Sequence, residues 1–461
     1  MIKKQFVLLL SFFILVNKTF AQANEKFFIA AIKIDGNKRT KEYIILREMP
    51  FAIGDSLFKK ELTKTIEQTK NQISNTNLFS EIKITLDSTL YKNLQVNINV
   101  KERLYFYPLP KIQLVDRFNT WLKDYNASFN RTIYGLDLTQ YNFSGRRDNF
   151  NLTALTGYAR VLSIGYNSLY SNAKLTEGFS IGASLSENKE IGYNTSTNNR
   201  ILFYKKDYFT RKNYSIGASY NKRNNYFKRT TIFLNLRYSI VDDSITNFKN
   251  KNYFNNNNSH QLIPEIGYSV SYSNTDKIKY PLKGMEYNYS FSKRGVGIKG
   301  GINNTTLYGS FSKYFTLKNT FYTSVVTAAI LKLPLEQAYI NRRAIGVGNL
   351  DLRGLELYQI DGVAAATTNL TLSKKIIAFV IPIPFKIKYV PNIPVRIMAK
   401  TFSDFGYSYI PNQTTLLNNK FLYTAGFGID VITLYDIVFK VEYSFNQLGQ
   451  KGVFLHGNSG F

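Results

Sequence analysis

The sequence predicts an all-β transmembrane barrel of roughly 16 antiparallel strands, preceded by one small α+β domain of order β-α-α-β-β. Three observations lead there. Segment after segment of about 10–13 residues alternates apolar and polar side chains, the length a tilted membrane strand needs. Aromatic residues make up 15% of the chain, with 34 Tyr and 35 Phe against one Trp. Mean hydropathy is nevertheless only -0.21, and no later apolar run is long enough for a transmembrane helix.

The N-terminal residues set the compartment. Lys3 and Lys4 precede an apolar run from Phe6 to Val16 that only Ser11 interrupts, and Thr19-Phe20-Ala21 offers small residues for a signal peptidase. Residues 1–21 therefore read as a signal peptide cleaved before Gln22. The apolar core is too short to span a bilayer, which needs about 20 residues.

Residues 27–103 carry the α+β texture. Phe28 to Ile34 alternates into Asp35-Gly36-Asn37, a strand ending in a turn. Helical spacing follows over Thr40–Arg47 and again over Lys59–Asn75, with Leu62, Ile66 and Ile73 on one side. Two strands then alternate through Ile82, Ile84 and Leu86, and through Leu94, Val96, Ile98 and Val100.

From Pro108 to Phe461 helical periodicity gives way to dyad alternation. Ile266, Tyr268, Val270 and Tyr272 share one face while Gly267, Ser269 and Ser271 share the other; Ile437, Phe439, Val441, Tyr443 and Phe445 alternate with Lys440, Glu442 and Ser444. Roughly sixteen such segments lie between Arg131 and Phe461, an even number as bacterial barrels have. With the first domain in the periplasm, odd-to-even connections face outward. The Asn-rich stretch Asp242–Ser259 and the longest connection, Leu333 to about Ala364, both fall on that side. The last strand, Gly452–Phe461, ends on an aromatic residue and must pair with the first, because an open edge in lipid strands its backbone groups.

The formal charge of +28 would suggest nucleic acid in a cytosolic protein. In an exported barrel it meets anionic lipid head groups or lines the lumen, and no nucleic-acid partner is expected. With no cysteine, disulfides, lipid attachment and thiolate metal sites are excluded. Catalytic strings fail on context. Gly178-Phe179-Ser180-Ile181-Gly182 fits G-x-S-x-G but lies within an alternating strand, and Gly295 to Gly300 fits G-x-G-x-x-G with no helix after it. Two distant histidines, His260 and His456, make neither a triad nor a metal site. No enzyme, cofactor or metal is expected.

Other strings carry information. Ile32-Lys33-Ile34-Asp35-Gly36-Asn37, then Thr40, Gly54-Asp55, Asn77-Leu78-Phe79 and Val100-Lys101-Glu102, resemble a POTRA domain. Gly36 permits the strand-ending turn, and Leu78-Phe79 would fill the core between helix and sheet. Gly348-Asn349-Leu350-Asp351-Leu352-Arg353-Gly354-Leu355 resembles the Arg-Gly loop of the BamA/TamA superfamily of outer-membrane barrels (the bacterial surface antigen family). Phe402-Ser403-Asp404-Phe405-Gly406 resembles that superfamily's F-x-D-x-G strand motif. Tyr280-Pro281-Leu282-Lys283-Gly284 is similar to its inner turn. Pro108 to Asn142, with Asp116-Arg117-Phe118 and Trp121, resembles the barrel entry of Bacteroidetes-type members.

The resemblance implies a bacterial outer-membrane protein with one POTRA domain in the periplasm. It implies that the loop folds into the lumen, where Arg353, followed by Gly354, pairs with Asp404 as a lock. It implies that the POTRA motif (Gly36, Asn37, Leu78, Phe79) serves client docking by addition to a sheet edge, and that the terminal strand, ending at Phe461, closes the barrel. The implied function is insertion or translocation of other polypeptides at the seam between first and last strands. Implied partners are unfolded outer-membrane or exported polypeptides, outer-membrane lipids, and accessory periplasmic proteins or lipoproteins. The alternatives are a secretion pore of the two-partner type and a passive porin-like channel. Three departures stand out: Thr371 replaces a glutamate, Leu355 replaces the aromatic after Arg-Gly, and a single POTRA domain stands where assembly members carry several.

Overall fold

The computed structural model describes residues 25–88, 93–115, 121, 126–172, 174–255, 257–297, 302–318, 320–387, 390–433 and 437–458; the signal-peptide segment and Phe461 lie outside them. The chain forms two compact units, Met1–Lys38 with Glu42–Glu102, and Arg39–Lys41 with Arg103–Phe461.

In the first unit β1 (Lys26–Asp35) leads to α1 (Glu42–Leu46), β2 (Ser56–Phe58), α2 (Lys59–Ser74), β3 (Phe79–Ser88) and β4 (Asn93–Glu102). This is the expected β-α-α-β-β order with one three-residue strand added between the helices. The sheet order is β2-β1-β4-β3, with β1 parallel to β4 and the other pairs antiparallel. Strand β4 is central, so its alternate residues Leu94, Val96, Ile98 and Val100 are buried, and Ile44, Ile45 and Ile73 from the helices are buried with them. Gly36 has φ +94°, and a Cβ there would lie 1.9 Å from the Val100 carbonyl oxygen, so only glycine fits the turn.

In the second unit sixteen strands form one antiparallel sheet in chain order. The first six are β5 (Phe106–Leu114), β6 (Thr132–Tyr141), β7 (Asn149–Gly157), β8 (Ala159–Ser168), β9 (Glu177–Asn188) and, after a side hairpin of β10 (Glu190–Thr195) and β11 (Ile201–Lys205), β12 (Arg211–Arg223). Next come β13 (Lys228–Val241), β14 (His260–Thr275), β15 (Gly284–Arg294), β16 (Asn304–Lys318) and β17 (Phe321–Leu333). A small pair, β18 (Arg343–Ile345) and β19 (Ile360–Asp361), lies in the long connection. The sheet closes its order with β20 (Ala364–Ile387), β21 (Val390–Tyr409), β22 (Phe421–Ile432), β23 (Val438–Asn446) and β24 (Lys451–Asn458).

The first strand starts ahead of Arg131, where the alternation count begins. Pro108 and Pro110 disguise β5 in the sequence, and an edge strand tolerates them because an outward position needs no N–H donor. Both long connections run from an odd to an even strand, as expected: 242–259 joins the seventh and eighth strands of the sheet, and 334–363 the eleventh and twelfth. Among the described residues no ladder joins β24 to β5.

The alternation has the meaning of a membrane wall. Outward rows such as Ile266 and Tyr268 on β14, Phe427 and Ile429 on β22, and Phe439 and Val441 on β23 are exposed apolar side chains. Inward rows are polar yet buried: Ser310, Ser312, Asn369, Lys400, Asp404, Thr424, Asp430 and Glu442. A water-soluble sandwich would reverse this, burying its apolar face.

Candidate functional site

The connection between β17 and β20 folds onto the inner wall. Leu350, Leu352, Leu355, Ile345 and Ile360 are buried together with wall residues Ala328, Ile330 and Ala365 and with Leu417 and Leu422. Leu355 thus fills an apolar contact in the position where an aromatic was expected. This packing delivers Arg353 to the strand β21. Its Nε donates to Asp404 Oδ2 at 2.8 Å, its Nη2 to Oδ1, and its backbone N–H to Oδ2 at 3.0 Å. Asp404 is 0% exposed, so three N–H donors satisfy a carboxylate that water does not reach. The guanidinium also lies 3.9 Å above the Phe402 ring, and Nη1 donates to Thr371 Oγ1 at 3.0 Å. Thr371, the apparent gap in the carboxylate set, is therefore a direct acceptor. Gly354 has φ +87°, and a Cβ there would meet Ser444 Cβ at 2.7 Å, which accounts for Arg-Gly as a dipeptide.

Beneath the loop lies a lumen cavity of about 430 Å³, whose walls include Arg353, Lys400, Lys440, Asp351, Asp430 and Glu442. Lys400 Nζ is 2.6 Å from Asp430 Oδ1 and 2.5 Å from Glu442 Oε1. His456 Nε2 on β24 is 3.4 Å from Glu442 Oε2 and 3.6 Å from Glu356 Oε1 of the loop. The terminal strand is thereby tied to both its neighbour and the loop. At the other end of the cavity the turn after β14 reaches inward: Tyr280 donates to Asp430 Oδ2 at 2.7 Å, with Leu282 packed against Met398, Ile432 and Val438.

The connections at the loop end pack on one another. Ile191, Tyr253, Phe254, Ile302 and Tyr339, from four different connections, form one buried cluster. Asn199 Nδ2 donates to Asn418 Oδ1 at 2.7 Å and to the Gln359 carbonyl at 3.0 Å, and Asn418 Nδ2 to the Asp361 carbonyl at 2.7 Å. Contacts between connections so far apart in the sheet order require the sheet to curl into a barrel. Burial raises the carboxyl pKa of Asp351 and of Asp361, since a desolvated site disfavours the charged form.

Of the residues singled out by sequence, the structure joins Arg353, Gly354 and Asp404 at one place. Gly36 and Asn37 form the turn after β1. Leu78 and Phe79 are buried in the first unit's core, and the sheet's edge strands are β2 and β3. Gly178–Gly182 lies inside β9, and His456 sits within β24 facing carboxylates. Among the described residues no group of His, Asp and Glu is placed to hold a metal ion. The Lys400–Asp430–Glu442–His456 cluster went unread because its members come from four strands. The available signal was charge on the inward parity of β21 to β24.

Residues 27–103 match the POTRA family, described as a surface antigen variable number repeat. By fold the chain is similar to BamA from Haemophilus ducreyi lacking POTRA domains 1-3, with TM-score 0.52 and 16% identity over 94% of this chain and 83% of that one. It is similar to CdiB from Escherichia coli at TM-score 0.52 and 11% identity, over 94% and 74% of the two chains. A search of the curated proteins by sequence gives no match. A POTRA module, a sixteen-stranded wall and an arginine loop drawn inside define the class of POTRA-barrel proteins. Within that class the chain shares its fold with the BamA and CdiB barrels, and residues 27–103 are its POTRA domain.

Proposed function

We propose that this protein sits in a bacterial outer membrane with its POTRA domain in the periplasm, and that it inserts or translocates other polypeptides without covalent catalysis. The observation that carries the reading is Arg353 on Asp404: an inward loop, buried charge and wall strand joined in a barrel with this fold. Unfolded outer-membrane or exported polypeptides add to a POTRA sheet edge and then to the seam strand. Burial of apolar client strands in lipid supplies the driving force, so no hydrolysis is needed. The seam strand β24 is eight residues long and holds Gly452 and Gly457, so few ladder bonds oppose its release. Outer-membrane lipids and accessory periplasmic proteins or lipoproteins are the further partners.

A passive channel is disfavoured by the loop packed in the lumen and by the tied connections above it. The cysteine-free chain allows a clean test. Lys451→Cys places one thiol on β24, and a client barrel carries one on its terminal strand. Mixed-disulfide formation during client folding supports docking at the seam. No cross-link at Lys451→Cys while the client folds faster in the protein's presence would rule out this docking site.

A further inference from the structure

We propose that the hairpin of β20 and β21 extends past the barrel wall as an arm that lies on the anionic surface of the adjacent lipid leaflet. Strand β17 pairs with β20 only as far as Lys374, with one more bond from the Lys375 N–H to the Thr320 carbonyl, and β22 pairs with β21 only from Arg396 onward. The two long strands continue to pair with each other as far as Ile387 and Val390. Beyond their neighbours they form a two-stranded ribbon at the short-turn end of the barrel.

The ribbon keeps the wall's lipid side. A bulge between Lys375 and Ile377 leaves Ile377, Phe379 and Ile381 opposite Ile397, Val395 and Ile393, and Ile397 belongs to the outward row of Phe405 and Tyr407. Ile377, Phe379 and Ile381 are 50%, 42% and 44% exposed. An apolar row of this kind left in water is an aggregation hazard. From Lys374 to Arg396 the chain holds Lys374, Lys375, Lys386, Lys388 and Arg396 and no acidic residue, which matches lipid phosphates. Pro382, Pro384, Pro391 and Pro394 remove N–H donors from the ribbon, which opposes addition of a client strand or a second copy to its edges. Unpaired edge carbonyls keep it out of the hydrocarbon, so the head-group layer is the compatible depth.

This inference rests on the reading of the sheet as a membrane barrel, and the experiment separates the two. A nitroxide is placed on Phe379→Cys, on Val380→Cys of the opposite face, and on Phe427→Cys of the outward belt, each in the full chain reconstituted in vesicles. Collision with lipid-soluble oxygen and with a water-soluble paramagnetic complex is then compared. The expected result is strong oxygen access at Phe427→Cys, intermediate access at Phe379→Cys, and mainly aqueous access at Val380→Cys. Loss of the oxygen access at Phe379→Cys when anionic lipid is replaced by zwitterionic lipid is also expected. Aqueous access at Phe379→Cys with Phe427→Cys in lipid would overturn the arm proposal alone. Aqueous access at Phe427→Cys would overturn the barrel reading beneath it. Oxygen access at Phe379→Cys that ignores lipid charge would overturn the electrostatic part.

Discussion

Arg353 meets Asp404 through two guanidinium nitrogens and its own backbone N–H, in a place where the carboxylate is fully buried and the guanidinium largely so. Removing one partner leaves a buried charge uncompensated, which costs about 3–5 kcal/mol. Arg353→Ala and Asp404→Asn should therefore each lower the temperature at which the folded barrel loses its fast gel migration. Arg353→Lys should fall between them and the parent, because an ammonium cannot span both carboxylate oxygens. Equal stability of all four proteins would remove the lock. Gly354→Ala should cost at least about 1–2 kcal/mol through its left-handed backbone alone, before the contact with Ser444 is counted. At this scale the sequence was readable for Arg353 and Asp404, since each sits in a short string. The contact of Thr371 was not readable there, because a threonine in a strand gives no sign that its hydroxyl accepts from the Arg353 guanidinium.

At the scale of elements, the connection between β17 and β20 is held by apolar packing, and burial raises the pKa of two of its carboxyls. Asp351 and Asp361 have folded-state pKa values raised above their unfolded values. Such groups stabilise the packed loop fully below the unfolded carboxylate range, and the contribution is lost as pH rises through the folded values. Limited proteolysis of the connection should then be slower at mildly acidic pH than at neutral pH, and Asp361→Asn should flatten the difference. Faster cleavage in acid would contradict the assignment. The helices and long strands of the first unit were legible from spacing because local pattern determines them, whereas the three-residue β2 is too short to show one. Strand β5 was not, since its prolines hide a strand that only an edge position allows. The ion cluster around Lys400 was hidden for a related reason: register between strands, set by hydrogen bonding across the sheet, is absent from any one strand's pattern.

For the whole molecule, the proposed function gives capture to the first unit and insertion to the second, with the seam and its loop lock as the point at which a client would enter the wall. His456 links β24 to Glu442 and, through Glu356, to the loop that carries Arg353, so releasing the loop should loosen the terminal strand. The +28 formal charge, read as lipid or lumen charge, finds one concrete location in the basic hairpin of β20 and β21. The most direct test of the central claim is client folding in liposomes that contain the purified protein, with Arg353→Ala as the comparison. The readout is the rate at which an unfolded outer-membrane barrel becomes protease-resistant. A rate above that of empty liposomes, lost in Arg353→Ala, is the predicted result. No acceleration, together with steady ion conductance across a planar bilayer, would contradict the insertion reading and leave a pore.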